Sequence, residues 1–127
     1  MVRKIVVLIF AMAFLAPAIT GAVTPEDFTV RTTQDLVDLC TVNRDDPLAD
    51  EAISFCHGYC VGAYHYYLAE NSGPEGNKWV CFPDPAPSRN YIIGQFVEWT
   101  KAHPEYADSN PVESIFRFLI ETYPCGK

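Results

Sequence analysis

The chain has 127 residues, 49% of them hydrophobic, with 9 basic against 16 acidic side chains and a formal charge of −7. That length holds one domain with one modest core. The acidity excludes nucleic acid and anionic lipid as partners, and 5 cysteines in so short a chain ask for an oxidising compartment.

Residues 1–22 read as an export segment. Arg3 and Lys4 open it, an apolar run follows from Ile5 to Ile19, and Thr20-Gly21-Ala22 supplies small residues at a cleavage site. The run falls short of the roughly 20 apolar residues that a membrane span needs. Cleavage after Ala22 is expected, leaving a soluble domain over 23–127 with no membrane attachment. Losing Arg3 and Lys4 deepens the formal charge from −7 to −9.

Four helices follow. The first is expected from Thr33 to Val42, with Thr32 as N-cap and Asp35 completing a capping box. The second is expected to begin near Asp46-Pro47, becoming regular by Asp50, and to run to Glu70. It is apolar or aromatic nearly all round (Ile53, Phe55, Tyr59, Val61, Tyr64, Tyr67, Leu68), which predicts a central helix with neighbours on several sides. Gly58 and Gly62 on it admit two readings, close packing inside the monomer or a homodimer seam. Residues 71–87 break the pattern with a turn-rich loop, an extended Lys78–Phe82 and three prolines. Ser88 caps a third helix that runs to Ala102 and stops at His103-Pro104. After a short loop, Asn110-Pro111 opens a fourth, whose Val112, Ile115, Phe116, Leu119 and Ile120 recur at helical spacing.

Helix order restricts the cysteine pairing. Helices one and two are joined by a short connection, and Cys56 lies nearer the end of helix one than Cys60 does. Helices three and four form a hairpin that brings their outer ends, with Cys81 and Cys125, together. Because a disulfide needs Cα atoms within about 7 Å, the expected bridges are Cys40–Cys56 and Cys81–Cys125. Cys60 is left free, with Cys60 in place of Cys56 as the alternative.

Leu36-Val-Asp-Leu39-Cys40, Cys56-His-Gly-Tyr59 with Gly62, Cys81-Phe-Pro83, Phe96 with His103-Pro104, and Tyr123-Pro-Cys125 together resemble the Rap/Tai immunity proteins. The likeness covers nearly all of residues 23–127. It implies an all-α, disulfide-linked bundle of about four helices in the periplasm of a Gram-negative bacterium. It also implies binding and inhibition of a peptidoglycan amidase delivered by type VI secretion. Cys60 and the proline-rich Pro83–Pro87 depart from the pattern.

No nucleophile elbow or His-Glu-x-x-His motif is present. Cys60 with His57 or His65 could form a nucleophile pair, and Cys56, His57 and Cys60 a zinc site. Against both stands a buried thiol beside a partly exposed imidazole. The expectation is therefore no enzyme, no metal and no cofactor. An inhibitor needs a protrusion instead. The short loop between helices three and four offers one, with Glu105, Tyr106, Asp108, Ser109 and Asn110 as the partner-binding residues. The Asn71–Trp79 loop is the second protrusion. A periplasmic stress or chaperone-like module without an effector is the alternative function.

Overall fold

The computed structural model describes residues 22–126. The export reading falls on residues 1–21, outside that range, save for its last residue, Ala22. Four helices form one all-α domain: α1 (Thr33–Cys40), α2 (Ala49–Glu70), α3 (Arg89–Ala102) and α4 (Pro111–Thr122). Short 3₁₀ turns at Pro25–Thr29 and Pro104–Tyr106 precede α1 and link α3 to α4. No described helix is long and apolar enough to cross a membrane.

The shortest helix is the most deeply set. Leu36 and Leu39 of α1 have no exposed surface. Each contributes on the order of 2 kcal/mol by burial, yet eight residues are too few for a helix to persist alone. Both ends are therefore anchored. At the N-terminus the Thr32 hydroxyl accepts the Asp35 amide at 3.2 Å, while the Asp35 carboxylate accepts the amides of Arg31 and Thr32 at 2.9 and 3.0 Å. Burial opposes ionisation of Asp35, but these hydrogen bonds outweigh it and hold the carboxyl below its usual range. At the C-terminus, Cys40 is bonded to Cys56 of α2 across a Cα–Cα distance of 5.2 Å. The helix stops two residues before the expected Val42, because Thr41 turns back to cap it. Its amide and hydroxyl both donate to the Val37 carbonyl, at 3.0 and 2.8 Å.

α2 begins at Ala49, within a residue of the expected regular start at Asp50. Asp46 caps it from one turn earlier: its carboxylate accepts the Leu48 amide at 2.8 Å and its carbonyl accepts the Ala49 amide at 3.0 Å. α2 has the expected neighbours on several sides, in α1, α3 and α4. The helix lies chiefly along α1, and only Ala49, Ala52, Cys56 and Tyr67 on it are buried. Of its aromatic residues Tyr67 enters the core, while the others cover its flanks. Phe55 meets Phe28 edge-on at 5.5 Å, and Tyr66 is 68% exposed.

The second disulfide closes the opposite end. Cys81 and Cys125 are bonded with Cα atoms 4.8 Å apart, where Val80 and Pro124 form an isolated antiparallel bridge. The buried Tyr67 hydroxyl accepts the amides of Trp79 and Val80 at 2.7 and 3.1 Å, which ties this extended segment to α2. Between the disulfides, Phe96 of α3 packs on Phe118 of α4 at 5.8 Å, with Ile93, Val97, Ile115 and Leu119 completing the core.

The bridges close separations of 16 and 44 residues, worth about 3 and about 4 kcal/mol on the loop-entropy account. A non-reducing peptide map should recover Cys40–Cys56 and Cys81–Cys125, with Cys60 alone alkylated after unfolding. Cys125→Ser should lower the melting temperature by more than 10 °C, roughly what about 4 kcal/mol implies for a domain of this size. Cys60→Ser should shift it by only a few degrees. A fragment joining Cys40 to Cys60 would overturn the arrangement.

Candidate functional site

The loop between α3 and α4 is a built structure. α3 ends because Pro104 has no amide to continue it. The His103 Nδ1–H donates to the Trp99 carbonyl at 2.8 Å, which fixes its tautomer. The His103 ring stacks on Trp99 at 4.2 Å, and the Tyr106 ring lies nearly parallel to Trp99 at 5.3 Å. Trp99 is held from α4, where its Nε1–H donates to Glu121 at 2.9 Å. The Arg117 guanidinium sits 5.1 Å from the centre of the Tyr106 ring and is itself held by Glu113 at 2.9 Å.

The loop backbone completes α1. A helix leaves its first four amides without partners in the helix itself. Here the Ser109 carbonyl accepts the Thr33 amide at 2.9 Å and the Ala107 carbonyl accepts the Gln34 amide at 3.0 Å. Thr32 takes the next two, with its hydroxyl for Asp35 at 3.2 Å and its carbonyl for Leu36 at 3.3 Å. The Thr33 hydroxyl donates to the Ser109 carbonyl at 3.0 Å and lies 2.7 Å from the buried Ser114 hydroxyl of α4. Three internal bonds, from the amides of Tyr106, Ala107 and Ser109 at 3.0–3.1 Å, leave the segment little freedom.

The five residues expected to bind a partner therefore divide by role. Tyr106 spends its ring on the Trp99 stack and Ser109 spends its carbonyl on α1. Asn110 caps α4, accepting the Val112 amide at 2.9 Å. Glu105 and Asp108 are exposed, and neither carboxylate has an ion-pair partner among the described residues. Two negative charges thus stand on a rigid support. Trp99, Arg117, Thr33 and Ser114, which make that support, were not singled out from the sequence. The spacing of Trp99 and His103, one helical turn apart before a proline, was the available signal for the stack. Nothing local marks Thr33.

Other surfaces are less fixed. Residues 72–79 of the Asn71–Trp79 loop are all exposed, although Gly76 is required there, since a Cβ would lie 2.1 Å from the Asn71 carbonyl oxygen. A shallow groove along α3 is lined by Tyr91, Gln95, Glu98 and Trp99. Between α2, α3 and α4 opens an apolar cleft of about 250 Å³, lined by Cys60, Tyr64, Phe82, Ile92 and Phe118 among others. Burial pushes the Cys60 thiol up to about 12, so it is a neutral thiol at physiological pH, the opposite of an activated nucleophile. Cys56 is bonded to Cys40, which removes one donor from the zinc reading of Cys56, His57 and Cys60. Close packing of Gly58 and Gly62 inside the monomer is not found. Both are exposed, and nothing lies within 4 Å of a Cβ built on either. They lie on the side of α2 away from Cys56 and Tyr67.

The Thr33–Ser114 pair tests the coupling of loop, α1 and α4. Thr33→Val should cost about 1–3 kcal/mol, because it strands the buried Ser114 hydroxyl. Adding Ser114→Ala should recover part of that loss in denaturant unfolding. Equal stability of the single and wild-type proteins would exclude the coupling.

The family model of Rap1a immunity proteins matches residues 32–125. No curated protein and no solved structure matches the chain. The matched span takes in all four helices, both disulfides and the whole 103–110 loop, and the chain belongs to the Rap1a immunity proteins, whose function is immunity through binding of a cognate effector.

Proposed function

We propose that the protein is a periplasmic immunity protein that binds a type VI secretion peptidoglycan amidase and blocks it by placing the 103–110 loop in the catalytic cleft. The observation that carries this reading is the preorganised acidic loop. A protrusion already fixed by its own hydrogen bonds loses little entropy on binding. Glu105 and Asp108 are the unpaired charges it presents, suited to the donor groups of an amidase active site. The protein acts as an inhibitor and performs no chemistry. The two disulfides fit an oxidising compartment, in keeping with an export signal over 1–22.

Glu105→Lys with Asp108→Lys tests the loop. Both side chains are exposed and serve no cap or core contact, so circular dichroism and melting temperature should be unchanged. Affinity for an amidase encoded beside the gene should fall by at least about 100-fold, and cells carrying the variant should lose protection from that amidase in their periplasm. Full protection would remove the loop from the mechanism and transfer the role to the α3 groove or the Asn71–Trp79 loop. Failure of the wild-type protein to bind any such amidase would favour the stress or chaperone-like reading.

Exposure of Gly58 and Gly62 supports a homodimer in which α2 meets a second copy. A smooth helix face lets another helix approach closely, and no contact within the monomer uses it. Gly62→Arg should leave the monomer folded and, by its better helix propensity, slightly more stable. It should also reduce the mass measured by light scattering from two chains to one. A wild-type protein that is monomeric at micromolar concentration would end the dimer reading.

A further inference from the structure

We infer that Asp46 is the receptor for the amino terminus created by cleavage between Ala22 and Val23, so that processing adds an ion pair that the precursor lacks. The inference rests on the proposed export of the chain. Its geometry is independent of any partner. The Val23 nitrogen donates to Asp46 Oδ2 at 2.8 Å. The other carboxylate oxygen accepts the Leu48 amide at 2.8 Å at the start of α2. One side chain thus joins the first residue of the mature chain to the cap of the longest helix.

In the precursor, the Val23 nitrogen is a peptide amide with one neutral N–H to give. Hydrolysis of the Ala22–Val23 bond by the export peptidase leaves the carboxylate on Ala22 and a protonated amine on Val23. Water supplies the hydroxyl and the proton. The same 2.8 Å contact, already charge-assisted by the carboxylate, then becomes a pair of opposite charges and gains their Coulombic attraction. Its surroundings suit a cation. Asp27 of the first 3₁₀ turn and Asp38 of α1 line the hollow beside Val23, and among the described residues no lysine or arginine does. Asp27 is oriented by Thr24, whose amide donates to it at 2.7 Å, and Asp38 accepts from Gln34 at 2.7 Å. Asp46 is half-buried, so the pair is less screened than one on the open surface.

The cleavage position has a geometric counterpart here. A terminus one residue earlier or later would place the amine about 3.5 Å along the chain from the point where Asp46 waits. The ion pair also has a definite pH signature. The amine ordinarily titrates near 7.7–8.0, and a carboxylate partner raises that value in the folded state. The stabilisation is therefore complete below the unfolded value and fades as pH rises through the folded one. It is present at pH 6 to 7 and lost towards pH 10.

The test is a double-mutant cycle on the full mature chain, produced behind a cleavable N-terminal tag that leaves Val23 first. Melting temperatures are compared before and after tag removal, in wild type and in Asp46→Asn, which keeps an acceptor for Leu48. Tag removal should raise the wild-type melting temperature by about 4 °C at pH 6.5. It should have little effect at pH 10, or in Asp46→Asn at either pH. An equal rise in both proteins, or no rise in wild type, overturns the ion pair. The mass of the protein recovered from the periplasm is a separate readout. A chain beginning at Val23 supports the processing step, and any other first residue overturns it, whatever the cycle gives for the ion pair.

Discussion

An eight-residue helix at the centre of a core is a problem of physical chemistry before it is a feature of a fold. α1 supplies the two most buried leucines of the domain, yet a helix of two turns does not hold itself together in water. Its first amides have no partners of their own. The chain answers with a disulfide at one end and the carbonyls of Ala107 and Ser109 at the other. The second answer has a consequence for function. A loop recruited to cap a buried helix cannot also be a flexible tether, so the requirement that α1 be complete is what makes the 103–110 loop rigid. Stability and preorganisation here are the same set of hydrogen bonds.

That coupling explains why the fold was more legible in the sequence than the site. Both ends of α3 and the start of α4 are readable to within a residue, because they carry their own chemistry: Ser88, His103-Pro104 and Asn110-Pro111 each act within one turn of where they stand. α2 becomes regular at Ala49, one residue before the expected Asp50, because Asp46 acts through a turn containing Pro47. The apolar girth of α2 predicts neighbours on several sides, and α1, α3 and α4 supply them, yet of its aromatic residues only Tyr67 is buried. Periodicity reports which residues share a face. It does not report whether a neighbour occupies that face, and Gly58 and Gly62 show the difference. The bonds from Thr33 to Ser109 and Ser114 span 76 and 81 residues, and no local pattern encodes such a pairing.

Within the loop, chemical type alone was a poor guide to role. Tyrosine, serine and asparagine are all credible interface residues, yet Tyr106, Ser109 and Asn110 are each committed to structure: one to the Trp99 stack, one to the start of α1, one to the cap of α4. Removing any of them would change loop geometry as well as any contact it makes, so a loss of binding in those variants would be ambiguous. Glu105 and Asp108 lack that ambiguity because nothing in the described chain depends on them. On the proposed loop mechanism, sequence variation that retunes recognition is cheapest at those two positions, while the residues beneath them are held by the fold.

The remaining constraint concerns time and place. On the proposed export, the chain crosses a membrane unfolded and should not be fully stable before it arrives. Three features would then be absent from a reduced precursor: the Cys40–Cys56 bridge, the Cys81–Cys125 bridge and the charged amine proposed opposite Asp46. The first two require an oxidising compartment, and the third requires removal of the export segment. Each closes at the α1–α2 junction or at the opposite end of the helix bundle. On the proposed export, the domain gains much of its stability through chemistry done to it afterwards, and the proposed Asp46 pair links that chemistry to the helix whose cysteine clamps α1.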